Sequence, residues 1–310
     1  MTFAQRNVRE VPTTGDVDIY LCVTTFKRTY QLKECLPQNV LLTWPYRSRV
    51  RWVVLDLNDG QEQKEVRTFI QDNFVVPIVV GHLVYFRAPQ PYWHASWAKN
   101  TSHSAAMTLM GDNHPAVLVN CDNDNLLTRP FIDMVVEHAP QLIADPHTKD
   151  CLAMLRFSGA DGGVTGRMAL SARVFRMLGG YDQTFWPMGY QDVDLAKRAT
   201  KVGTVKLVAG SDLSGESVPN LPREFPGGRS NKNQIQAKVA NVAPEFQGVT
   251  WPEMNTKNRK LAKKAGEEPR RNLQYQSLGY CNCVRVMPCA VTLDWSQCGP
   301  PAPPAWPPTH

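Results

Sequence analysis

Along roughly the first two hundred residues, short apolar runs alternate with longer stretches whose apolar residues recur at helical spacing. Asp18 to Thr24 is a near-continuous apolar run and reads as a buried strand, and Thr29 to Leu42 follows with helical periodicity. Arg51 to Leu55 reads as a strand, Glu62 to Phe74 as a helix, and Gly81 to Phe86 as a third strand. Ala95 to Met110 reads as a helix rich in Ala and Met, and Ala116 to Asn120 as a fourth strand. Strands that are apolar throughout, separated by helices, predict βαβ units and a mostly parallel sheet covered on both faces.

Polar segments stand where these strands should end: Thr24 to Arg28, Asp56 to Gly60, and Cys121 to Asn125. Ligands of open parallel sheets bind at the carboxyl ends of the strands, so three such loops on one edge predict one site. Beyond Ser211 the pattern changes. Pro, Gly, Asn and Lys increase, and Pro219 to Asn233 reads as a long loop able to act as a lid. The expected organisation is a catalytic domain over 16–210, an irregular extension over 211–298 with lid loop, basic stretch and cysteine cluster, and a Pro-rich disordered tail over 299–310.

With 310 residues, 43% of them hydrophobic and 20% charged, the chain can build a core without disulfide or metal staples. A net charge of +6 suits an anionic ligand and by itself shows no nucleic-acid binding. Lys and Arg concentrate after Lys257, which reads as a solvated helix face. Met1 to Gly15 is polar, and no apolar run reaches membrane-spanning length, so a soluble, cytoplasmic protein is expected. Cys22, Cys35, Cys121 and Cys151 sit in apolar surroundings and read as buried thiols. Cys281, Cys283, Cys289 and Cys298 are clustered, and read either as free or core cysteines or as a four-thiolate Zn²⁺ site. A zinc-braced tail carrying Asn258 to Lys264 and Arg270-Arg271 could grip an anionic acceptor such as nucleic acid.

Asp122-Asn123-Asp124 follows a strand and precedes a helix that opens near Thr128-Arg129-Pro130. Two carboxylates one residue apart can hold Mn²⁺ or Mg²⁺ with positions left open for phosphate oxygens. A turn or a helix cap uses the same residue types, so the pair draws meaning from its context. Gly162 to Arg167 is glycine-rich, and Val174 to Asp182 carries Phe-Arg-Met-Leu-Gly-Gly-Tyr-Asp. Phe185-Trp186-Pro187-Met188-Gly189-Tyr190-Gln191-Asp192-Val193-Asp194-Leu195 and then Arg198 follow.

Over Ile19 to Val208 these phrases resemble the GT-A glycosyltransferases of family 2, with an acceptor segment like that of the galactosyltransferases of family 7. The resemblance includes Ala98-Lys99-Asn100 and implies a Rossmann-like GT-A fold. It implies Asp192 as general base for an acceptor hydroxyl. Trp186, Gly189, Tyr190 and Gln191 would contact the acceptor, with Gln191 standing where the family has Glu, and Arg167 would meet phosphate or sugar. Thr25 and Arg28 would lie at the donor, and Asp56, Asn58 or Asp59 at its base and ribose. Lys99 would reach the diphosphate, or else be a surface lysine. Asp122 and Asp124 would hold the metal, and Asp194 would serve the helix dipole. The family often supplies a His as third metal ligand; Asp212 is the available substitute, unless Asp124 and donor phosphates suffice.

A single base opposite the leaving group implies one in-line displacement with inversion. The expected activity is therefore an inverting, metal-dependent hexosyl- or N-acetylhexosaminyltransferase. It would use a nucleotide-sugar donor, expected to be a UDP-sugar, and a hydroxyl acceptor on a glycan, a small molecule or a nucleic acid. The alternatives are a nucleotidyltransferase on a similar sheet and a binding module that has lost catalysis.

Overall fold

The computed structural model describes residues 17–110, 114–145, 148, 151–158, 166–210 and 240–266. The four apolar runs are strands: β1 (Asp18–Thr25), β2 (Val50–Asp56), β3 (Leu83–Arg87) and β4 (Ala116–Asp122). Between them lie α1 (Thr29–Thr43), α2 (Gly60–Asn73), the short α3 (Val75–Val79) and α4 (Ala95–Thr108). Then α5 (Arg129–Ile143) opens as the sequence suggests, with the Thr128 hydroxyl accepting from the Phe131 N–H and Pro130 in the first turn.

The sheet continues beyond the four runs through β5 (Leu152–Ser158), β6 (Met168–Ser171) and β7 (Thr204–Ala209). Its order is β3-β2-β1-β4-β6-β5-β7. Strands β3, β2, β1 and β4 are parallel neighbours, β6 runs antiparallel to β4 and β5, and β7 is parallel to β5. This is the Rossmann-like, mostly parallel sheet that the resemblance implies. Neither β5 nor β6 stood out in the sequence. Arg156 interrupts the apolar run of β5, and β6 is four residues long and ends on Ser171, whose hydroxyl already caps α6 (Ala172–Met177).

The central strands β1, β2 and β4 have two apolar faces because both are covered. Ile19, Leu21 and Val23 of β1 pack with residues of α1, α2 and α5. The alternate residues Tyr20 and Cys22 pack with residues of α4, α6 and α7 (Gln191–Ala199) on the opposite face. Cys22, Cys35, Cys121 and Cys151 are buried free thiols, as expected. Because β1 lies between β2 and β4, the chain reverses its direction of travel across the sheet there, and the loops after β1, β2 and β4 gather at that switch point.

One further helix, α8 (Trp251–Ala265), contains the basic stretch. Thr250 and Glu253 close a reciprocal capping box at its start. Lys257, Arg259, Lys260, Lys263 and Lys264 are exposed, as a solvated helix face requires, but Asn258 faces inward and is fully buried. Its side chain accepts from Trp186 N (2.7 Å) and donates to the carbonyls of Trp186, Met188 and Gly189 (3.0, 3.0 and 2.8 Å). One buried amide therefore fastens α8 to the segment before α7. A Cβ on Gly189 would stand 2.9 Å from the Asn255 Cα, so only glycine allows this approach.

Asp194 lies in the first turn of α7, yet it does more than answer the helix dipole. It bridges Arg198 at 2.8 Å, and Arg198 also donates to the carbonyls of Leu178 and Gly180. Both side chains are buried. Arg198→Met should cost about 3–5 kcal/mol by leaving Asp194 charged and buried. Urea unfolding should show a lower midpoint with unchanged slope, and Asp194→Leu in the same chain should recover most of the loss.

Candidate active site

At the end of β1 the backbone turns through Lys27, whose φ of 50° is in the left-handed region. That conformation is held from the next loop, since the Lys27 N–H donates to Asn58 Oδ1 at 2.6 Å. Asn58 in turn donates to Asp56 Oδ1 through its backbone N–H and its amide, each at 2.9 Å, and the Tyr85 hydroxyl donates to Asp56 Oδ2 at 2.5 Å. Asp56 and Asn58 are buried, while Asp59 is exposed at the start of α2. Burial pushes the Asp56 carboxyl up to about 6, against the hydrogen bonds from Tyr85 and Asn58 that favour its ionised form.

The third loop is tied to the first. Arg28 donates to Asp124 Oδ2 at 2.8 Å, and the Asn123 amide donates to Thr25 Oγ1 and to the Arg28 carbonyl, each at 3.3 Å. Asp124 Oδ1 accepts from the Asn125 amide at 3.2 Å. Both oxygens of Asp124 are thus engaged by protein groups. Arg167 is fully buried and donates from Nε to Asn125 Oδ1 at 3.0 Å. Burial lowers its pKa, and Cys121, Asp122 and Asp124 oppose that shift. Its visible role is to hold the turn after β4.

From α4, Lys99 reaches Asp192 Oδ1 at 2.6 Å and lies 5.3 Å from the centre of the Tyr181 ring. It is 5% exposed, so it is no surface lysine. Burial pulls its ammonium down, but Asp192 and Asp122 outweigh this and leave the pKa above the ordinary lysine value. Lys99 is therefore charged at neutral pH. Asp192 sits in the first turn of α7, and its pKa is raised, first by burial and also by Asp122, with Lys99 opposing.

Gly166 marks where these groups meet. A Cβ placed there would lie 3.3 Å from Asp122 Oδ2, 3.5 Å from Asp192 Oδ2 and 3.7 Å from Lys99 Nζ. Two carboxylates and one ammonium therefore border a single space that a side chain at residue 166 would enter. The Asn120 amide holds the Gly166 carbonyl at 2.6 Å. On the far side, Asn100 exchanges 2.8 Å hydrogen bonds with the backbone of Tyr181. A Cβ on Gly180 would stand 2.5 Å from the Asn100 oxygen, so that glycine sets the approach of α4 to the Gly-Gly turn. Asn255 and Asn258 were not identifiable from the sequence as site-shaping groups. The signals for Gly166 and Asn100 were the glycine-rich run Gly162 to Arg167 and the phrase Ala98-Lys99-Asn100.

Gly189 (φ 89°) and Tyr190 (φ 67°) adopt consecutive left-handed conformations just before α7. At Tyr190 this costs about 1–2 kcal/mol. The turn delivers Gln191 and Asp192 to the helix N-terminus. The Gln191 Oε1 is buried and has no hydrogen-bond partner among the described residues. Trp186 is half-buried, its ring 5.3 Å from that of Phe246 and 5.4 Å from Lys257 Nζ. Asp212, the lid loop and Cys281, Cys283, Cys289 and Cys298 lie outside the described residues. Among the described residues no three His, Cys, Asp or Glu side chains come together as a metal cage. Asp122 and Asp124 offer oxygen donors of the kind a hard cation takes, and Asp122 Oδ2 faces the Gly166 space. Asp124 would first have to release Arg28.

No protein-family model matches the chain, and no curated protein does. Solved structures do show similarity. A mannosyltransferase from Pyrobaculum calidifontis, in complex with GDP-Man and Mn²⁺, is 17% identical, with 88% of this chain and 83% of that chain covered and a TM-score of 0.49. A Drosophila β1,4-galactosyltransferase 7 with manganese, UDP-Gal and xylobiose is 12% identical, with 72% and 79% covered and a TM-score of 0.40. TarS from S. aureus with UDP is 11% identical, with 74% and 68% covered and a TM-score of 0.46. These overlaps are loose.

Asp56 gives this site a measurable pH signature. Its folded pKa of about 6 lies above the ordinary carboxylate value, so folding takes up a proton between about pH 4 and 6. Stability relative to Asp56→Asn should rise as pH falls through that window, by at most 2–3 kcal/mol in order of magnitude. Thermal melts of both proteins from pH 4 to 7 measure it; parallel curves would mean that Asp56 stays ionised throughout.

Proposed function

We propose that this chain is an inverting, metal-dependent glycosyltransferase of GT-A type. It would move a hexosyl or N-acetylhexosaminyl group from a nucleotide-diphosphate sugar, a UDP-sugar by resemblance, to a hydroxyl acceptor. The observation that carries this reading is the convergence of Asp122, Asp192 and Lys99 on the space beside Gly166, at the carboxyl end of the parallel strands.

The two oxygens of Asp192 have different partners. Lys99 engages Oδ1, and Oδ2 faces the Gly166 space. In the proposed reaction the acceptor hydroxyl donates to Oδ2 while its oxygen attacks the anomeric carbon. The bond from that carbon to the diphosphate oxygen breaks, the nucleoside diphosphate leaves, and the proton ends on Asp192. A raised pKa suits the carboxyl to receive it. Lys99 fixes the rotamer of the base and adds positive charge near the departing diphosphate. Among the described residues, Asp122 and Asp124 would hold a Mn²⁺ or Mg²⁺ ion. When bound, the ion neutralises charge on the diphosphate.

Gln191 in place of an acid supports a hydroxyl-bearing acceptor, since an amide oxygen buried without a partner is satisfied by a hydroxyl donor. Trp186, held by Asn258 beside Phe246, supplies an apolar wall of the kind that sugar rings stack on. No helix among the described residues is long and apolar enough to cross a membrane.

Asp192→Asn should retain nucleotide-sugar binding and lower transfer by about 10²–10⁴-fold, read as nucleoside diphosphate release in the presence of acceptor. Equal rates would remove Asp192 from the chemistry. A thermal-shift screen of nucleotide sugars with Mn²⁺ should identify the donor. For that donor, calorimetry should show binding that is lost in chelator and in Asp124→Ala; chelator-insensitive binding would remove the metal from the reading.

A further inference from the structure

Between α7 and α8 lies a cavity of about 590 Å³ that the reaction above does not use. Tyr190, Lys197, Arg259, Lys260 and Lys263 line it. Among the described residues the one carboxylate in its wall, Asp194, is 3% exposed and is neutralised by Arg198 at 2.8 Å. Arg259, Lys260 and Lys263 are exposed and form no ion pair among the described residues. The described residues of the wall therefore carry an excess of four positive charges.

Helix dipoles account for part of this cluster. Lys197 and Lys263 stand in the last turns of their helices, where cations are favourable. Arg259 and Lys260 lie a turn earlier and have no such reason. Arg259 and Lys263, four residues apart, repel each other on one face of α8. Like charges converging on a concave wall from two helices focus a positive potential, which a multivalent anion relieves. Phosphate fits better than a lone carboxylate, since it brings more charge and three acceptor oxygens for lysine and arginine heads. The cavity also has an address. The Tyr190 hydroxyl, on its rim, accepts from Lys197 Nζ at 2.9 Å, and Tyr190 stands two residues before Asp192.

We propose that the cavity between α7 and α8 binds a phosphate group of the acceptor, anchoring it beside the acceptor face of the site. The word acceptor rests on the glycosyl-transfer reading; the anion site does not. Inorganic tripolyphosphate, titrated into the full chain in chelator at low salt, is the probe. Wild type should bind it saturably, and Arg259→Gln/Lys260→Gln should weaken binding by about tenfold or more. Lys64→Gln/Lys264→Gln removes equal charge outside the cavity and should stay within about twofold of wild type. Absence of saturable binding, or equal loss in the control, overturns the site in favour of a diffusely basic helix. Metal-dependent nucleotide-sugar binding by the same three proteins is read separately. Its absence from wild type removes the acceptor assignment and leaves the anion site standing.

Discussion

The pairing of Lys99 with Asp192 is the contact around which the rest of the site is arranged. It joins α4, on one face of the sheet, to the first turn of α7. Neither charge could be buried alone without a large desolvation cost, so the two elements must arrive together. The pair also differentiates the oxygens of Asp192, with one held and one turned to the Gly166 space. Asp122 on the other side raises the proton affinity of Asp192 and deepens the need for the lysine.

Much of the surrounding structure serves to present that pair. Asn100, one residue along α4, grips the Tyr181 backbone, and Gly180 makes room for it. Arg198 holds the same Gly-Gly turn from α7 and is itself balanced by Asp194. Asn258 fixes the stretch from Trp186 to Gly189 from α8. Asn100, Arg198 and Asn258 are buried polar groups that each hold backbone atoms of a turn. Side-chain partners of this kind satisfy turn backbone groups that regular pairing leaves open.

Loose ends of strands become a site by a similar route. Besides the backbone bond from the Leu57 N–H to the Thr25 carbonyl (2.9 Å), side chains of Asn58, Asn123 and Arg28 link the loops after β1, β2 and β4. The engagement of Asp124 by Arg28 means that a cation at Asp124 would compete with a guanidinium for one carboxylate.

The sequence by itself determined the layered α/β architecture. The apolar runs of β1, β2 and β4 are buried on both faces, and the helical period between them leaves no other packing. It also placed Asp122, Asp124 and the loop residues at one sheet edge, because parallel strands must end on the same side. It missed β5 and β6, where Arg156 and a four-residue length defeat periodicity. It left Lys99 open between the diphosphate and the surface and did not name Asp192, the carboxylate distant in the chain that holds it, and it counted Asn258 with a basic stretch whose face it does not share. Which partner a long side chain meets, and which glycine must stay bare, depend on atoms brought together from distant positions. Only the folded packing fixes those approaches, because local pattern sets the direction of a residue and not what lies at the end of its reach.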